Sequence, residues 1–116
     1  MEATLASGTI DEIRKIKKTM KKHGIIRLAI LYADDGHVSV SMLERVKSVH
    51  SDMPYSELER LGNQLVESSD EIKDLGGGYH GEIVITVPQH SRLAVVKWDH
   101  TAYEMTSHDT SATYKI

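Results

Sequence analysis

The sequence predicts an α+β domain: a mainly antiparallel sheet of four to five strands with two principal helices packed on one face. Three observations predict it. Residues 81–99 contain two runs rich in β-branched side chains joined by a short polar connection, the pattern of an antiparallel hairpin. Residues 10–23 and 56–75 repeat apolar side chains at helical spacing. The elements run α-β-β-α-α-β-β-β, and helices and strands that do not strictly alternate argue against a doubly wound parallel sheet.

Taken in order, Thr9 and Glu12 have the form of a capping box, and Asp11 adds an anion in the first turn, where the helix dipole favours it. Ile10, Ile13, Ile16 and Met20 recur at helical spacing, while Arg14, Lys15, Lys17, Lys18, Lys21 and Lys22 fall on the remaining side. Gly24 suits the position just past a helix end, so the first helix is placed at 10–23. In 25–33, Ile26, Leu28, Ile30 and Tyr32 alternate with Ile25, Arg27, Ala29 and Leu31. This predicts a strand well buried on the first side and partly buried on the second. Asp34-Asp35-Gly36 is a turn. Val38, Val40 and Met42, alternating with His37, Ser39 and Ser41, bring the chain back as a hairpin.

Ser41 and Glu44 form a second capping box, and Leu43, Val46 and Val49 predict a short helix over 42–50. Pro54 biases Met53 away from helical geometry. Ser56 and Glu59 form a third box. Leu58, Leu61, Leu65, Ile72 and Leu75 predict a long helix, kinked near Ser68–Ser69, with Gly62 close against the sheet and a stop at Gly76-Gly77-Gly78. Ile83, Ile85 and Val87 alternate with Glu82, Val84 and Thr86 up to Pro88, which ends the run. Leu93–Val96 shows no polar alternation and predicts burial on both faces. Asp99-His100 reads as a turn. Thr101, Tyr103 and Met105 follow as an edge strand, and Ala112, Tyr114 and Ile116 as a last one. The element order and the Asp35-Gly36 turn together resemble the roadblock/longin-type layout of helix, hairpin, helix and three-stranded meander. The extra helix at 42–50 and the lack of a C-terminal helix depart from that layout. The resemblance implies an architecture and carries no motif of activity.

With 116 residues, one domain spanning 1–116 is expected, its ends (1–8 and 107–116) loosely ordered. The chain has no cysteine and no phenylalanine and a single tryptophan. Disulfides, thiolate metal sites and cysteine nucleophiles are thereby excluded, and the core must be aliphatic. No apolar run approaches the ~20 residues of a membrane span. The opening MEATLASGT lacks a basic region and an apolar core, so no signal peptide and a cytoplasmic location are expected. The net charge of −3 is uneven: residues 1–30 carry seven Lys/Arg against three Asp/Glu, and residues 31–116 seven against fourteen.

The leading functional reading is a small non-catalytic binding or interaction domain. Ala29, Leu31 and Val84 lie on the less-buried sides of their strands, alongside Trp98, and form a candidate association face for self-association or an unidentified protein partner. A helix over 42–50 is the rival cover for that face. The second reading uses the basic side of the first helix. Arg14, Lys15, Lys18, Lys21 and Lys22 could contact the phosphates of a nucleic acid or an acidic partner, although the domain is acidic overall and lacks interleaved aromatics, as a solvated face would. The third reading is a small enzyme or ligand-binding domain using loops 76–81 and 89–91. The glycine run there follows a helix and precedes a strand, so it faces helix carbonyls and not the N–H groups that hold a phosphate. No catalytic motif and no cofactor signature is present. The seven histidines show no ligand spacing; the one trio weighed as a metal site is His100, His108 and Asp109.

Overall fold

In a computed structural model, residues 5–46, 52–69, 78–88, 92–103 and 107–116 are described, with 102, 103 and 107–109 as backbone only. The elements are α1 (Ser7–Lys22), β1 (Ile25–Ala33), β2 (Val38–Arg45), α2 (Tyr55–Ser68), β3 (Tyr79–Thr86), β4 (Val95–Tyr103) and β5 (Ser107–Lys115). All five strands join one antiparallel sheet in the order β2-β1-β3-β4-β5. The fold is therefore α+β in the order α-β-β-α-β-β-β, which is helix, hairpin, helix and three-stranded meander.

Both helices pack on one side of the sheet. Leu28, Ile30 and Tyr32 of β1, Ile83 and Ile85 of β3, and Val96 and Trp98 of β4 point to that side. There they meet Ile13, Ile16 and Met20 of α1 and Leu58, Leu61 and Leu65 of α2 in one buried cluster. The same period of two that fills this side leaves the alternate residues on the other. Gly62 puts the backbone of α2 against Ile30, Val38 and Val40, with room for an added methyl at 3.5–3.6 Å. At the hairpin tip, Gly36 takes φ 84°, and the Asp35 carboxylate accepts from the His37 N–H at 2.8 Å. Gly24 takes φ 66° just past α1, the left-handed value that a helix stop needs.

Several expectations are corrected. There is no helix at Met42: residues 42–45 continue β2, because pairing Met42 to Leu28 and Glu44 to Arg27 outweighs a local capping pattern; the rest of 42–50 beyond Val46 lies outside the described residues. Helix α1 starts at Ser7 on an Ala6 cap with no side-chain bond, so Thr9 is a buried helical residue and not a cap. Likewise α2 starts at Tyr55 after Pro54 without the Ser56 box. It ends at Ser68, with the Ser69 hydroxyl turned back to the Leu65 carbonyl. The proposed continuation to Leu75 lies outside the described residues. A register shift between Ile25 and Leu28 puts Ile25, not Ile26, among the buried residues. Leu93 is 49% exposed and precedes β4. Asp99-His100 is no turn: both residues lie inside β4, paired to Glu82 and Gly81. Residues 107–115, expected to be loose, form the edge strand β5, paired along its length to β4.

Candidate functional site

The face of the sheet turned away from the helices is the first candidate. The register aligns its side chains in rows. Ser41, Ala29, Val84, Lys97 and Thr113 form one row from β2 to β5, and Ser39, Leu31, Glu82, Asp99 and Ser111 form the next. The predicted association residues Ala29, Leu31 and Val84 thus share one patch, with Ala29 directly opposite Val84. Among the described residues, no helix or strand lies against this face, whose side chains are absent from the buried cluster. Leu31 is 41% exposed, whereas Ala29, a single methyl among taller neighbours, is buried. Leu43, one residue beyond the core-packed Met42, is 53% exposed. Trp98, grouped with this face by the sequence, is instead buried on the helix side.

Charge on the open face is arranged in the same rows. Glu82 and Asp99 are directly opposite each other across β3 and β4, an arrangement that repels in an isolated sheet. Lys97 is one step along β4 on the same face, opposite Val84. Among the described residues, the ion pairs are Arg14–Asp11, Lys15–Glu12 and Arg27–Glu44, and none of them involves Glu82, Lys97 or Asp99.

The second candidate is the basic side of α1. Lys15, Lys18 and Lys22 line a groove of about 430 Å³ with Arg60 and Gln64 of α2, and Glu57 stands on its wall. Arg14 and Lys21 are exposed outside this groove; Arg14 pairs with Asp11, and Lys21 lines a separate cleft with Gly24, Ile26 and Pro88. The structure therefore brings together three of the five predicted cations and adds Arg60, which the sequence did not single out. Lys17 plays another part. It donates to backbone oxygens of Arg92 and Ile116, tying α1 to the end of the sheet. Burial and the nearby Lys21 and Arg14 charges pull its pKa down.

A third group was not visible from local pattern. Tyr32, Gly81 and His100 occupy one row on the helix side. Gly81 has no side chain, so the Tyr32 ring lies across it; an added methyl at Gly81 would collide with the Tyr32 hydroxyl end and come within 2.7 Å of the Asp99 carbonyl oxygen. The ring stacks on His100 at 5.8 Å between centroids and 22° between planes, and Tyr79 closes the group at 6.2 Å from Tyr32. Trp98 Nε1 donates to the Tyr32 hydroxyl at 2.9 Å, and that hydroxyl meets His100 Nδ1 at 2.7 Å. The phenol accepts from Trp98 and can either donate to Nδ1 or accept from it, according to the His100 tautomer. Burial, first, pushes the Tyr32 pKa up to about 12. The phenol therefore stays protonated at neutral pH and works as a buried, satisfied tie between β1 and β4.

Of the loop candidates, 76–77 and 89–91 lie outside the described residues. Gly78 sits at φ 131° beside the Asp34 carboxylate. Among the described residues, no group of three His, Asp or Glu could hold a metal ion; the side chains of His108 and Asp109 are outside that set. Among the described residues, no helix is long and apolar enough to cross a membrane. No protein-family model, no curated protein and no solved structure matches this chain.

Proposed function

We propose that this chain is a small non-catalytic binding domain that associates through the open face of its sheet. The observation that carries the reading is Leu31, 41% exposed in the middle of a strand whose opposite side is sealed by two helices. With Val84, Val95 and Leu43 it gives the face an apolar surface bordered by charge, the composition of an association surface. The test is sedimentation equilibrium on the intact chain and on Leu31→Lys. Lysine is chosen because it would stand opposite Glu82 and keep the monomer folded. Association that weakens at least about tenfold in the variant supports the reading. Association unchanged by the variant, or a wild-type chain that stays monomeric at millimolar concentration, removes it.

The α1–α2 groove favours a second reading, binding of a phosphate-rich or acidic partner, because Lys15, Lys18, Lys22 and Arg60 converge on one groove. Fluorescence anisotropy with a single-stranded RNA and an acidic peptide at low salt tests it. Binding that flattens with salt when Lys18 and Lys22 become glutamine supports it, and no binding at 20 mM salt, about the lowest practical ionic strength, ends it.

A further inference from the structure

We propose that the open face takes a second copy of this chain, related by a two-fold axis that runs across the strands between the Val84 row and the Glu82 row, so that each Lys97 meets the partner's Asp99. The proposal rests on the association reading above and adds the occupant and its register.

Three features of the face point to a copy of itself. The first is charge. Glu82 and Asp99 face each other across neighbouring strands, and no described cation pairs with either. The face carries its own remedy one row away, in Lys97. A two-fold axis across the strands keeps every strand above its own copy and exchanges the two rows. Lys97 then lies over the partner's Asp99, and Asp99 lies under the partner's Lys97. This is an isologous contact, in which one pairing occurs twice. The lysine stem is long enough to serve the adjacent Glu82 as well, since neighbouring strands are only about 4.8 Å apart.

The second feature is shape. The same exchange sets Leu31 over the partner's Ala29. Leu31 is the protruding side chain of the face and Ala29 its recessed one, at 41% and 3% exposure. Each copy thus supplies a knob and a seat, and both contacts are apolar. Across the rest of the two rows, Ser41 meets the partner's Ser39 and Thr113 the partner's Ser111, short polar side chains that let sheets approach to about 10 Å, while Val84 meets the partner's Glu82, whose carboxylate lies beside the same Lys97 that meets the partner's Asp99.

The third feature is that the competing arrangement is unfavourable. A two-fold axis along β3 would leave the rows in place and set Glu82 on the partner's Glu82, while Asp99 would face the partner's Leu31. Like charges oppose it, and no lysine of the partner would stand opposite Glu82 or Asp99 or in their row. The charge pattern thus selects one of the two in-plane axes. Five strands and two to three rows give a contact of roughly 450 Å² per copy, near the low end for specific interfaces, so the dimer is expected to be reversible and concentration-dependent.

The test uses single charge reversals of the intact chain, each confirmed folded by circular dichroism, in sedimentation equilibrium. In Lys97→Glu, two acidic side chains meet at each contact; in Asp99→Lys, two basic ones do. Each variant alone should self-associate at least about tenfold more weakly than wild type. Mixed in equal amounts, the two variants restore opposite charges at both contacts, and the mixture should associate within about threefold of wild type. The double variant should also self-associate. Single variants that associate like wild type, or a mixture that stays as monomeric as its components, overturn this register. If Leu31→Lys still abolishes association in that case, the open face remains the interface and only the two-fold arrangement falls. If wild type is monomeric, or Leu31→Lys is without effect, the association reading itself has failed.

Discussion

One sheet presents two faces made by the same five strands, and they differ in what alternate residues do. On the helix side, Ile30, Ile83, Ile85 and Val96 are fully buried, and the polar members of the layer are satisfied by each other, as in Trp98, Tyr32 and His100. On the other side, residues one position away are the exposed Leu31, the half-buried Val84, and Glu82 and Lys97, charged groups with no ion-pair partner among the described residues. The covered face holds the fold together. The open face contributes little to that and carries chemistry that the monomer does not use. A feature with no role inside the chain is the better place to look for a role outside it.

This contrast can be broken by substitution, and the effects should fall in order. The largest is a cavity in the covered face. Ile83→Ala is expected to cost about 2–5 kcal/mol in urea unfolding. Next comes alkaline pH. Tyr32 is raised by burial to about 12 against an ordinary value of 10, so the folded state holds the proton more tightly than the unfolded state. Its contribution is complete below pH 10 and is lost as pH rises from 10 through 12, up to about 3 kcal/mol. Urea midpoints between pH 9 and 12 should fall more steeply for wild type than for Tyr32→Phe, over the window set by those two values.

Two glycine substitutions sharpen the comparison within the covered face. Gly81→Ala drives a methyl into Tyr32 and the Asp99 carbonyl and should destabilise by about 1–3 kcal/mol. Gly62→Ala meets Val38, Val40 and Ile30 at ordinary contact distances and replaces a mid-helix glycine, so thermal unfolding should show a gain of about 0.5–1 kcal/mol. The smallest effect belongs to the open face. Leu31→Lys should change monomer stability by no more than about 0.5 kcal/mol, measured at a concentration too low for association.

Local pattern made most of the helix-side layer legible. The alternation of Leu28, Ile30 and Tyr32, the Ile83–Val87 run, the Asp34-Asp35-Gly36 turn and the Gly24 stop all rest on physics confined to a few residues. Errors came where a local signal met a non-local one. Ser41 and Glu44 look like a helix start, yet the hairpin partner Leu28 holds Met42 in the sheet. Asp99-His100 looks like a turn, yet Glu82 and Gly81 pair with it across the ladder. Ile25 and Ile26 exchange roles because a register shift, invisible in a single strand, separates them from Leu28. Of the candidate surfaces, the grouping of Ala29, Leu31 and Val84 follows from strand alternation. The pairing of Glu82 with Asp99, the convergence of Arg60 with the α1 lysines, and the Tyr32–His100 contact across Gly81 each require strand order or helix placement.

The central claim is that the open face is where this molecule is contacted. Solvent paramagnetic relaxation of methyl groups, followed as protein concentration rises, tests it most directly, because Ile10 and Val66, half-buried on the two helices, offer methyls on the opposite side of the sheet from Leu31. The account predicts that Leu31 and Val84 methyls become shielded with concentration while those of Ile10 and Val66 do not. Shielding that is absent at every concentration, or that falls on Ile10 and Val66 and spares Leu31, would contradict it.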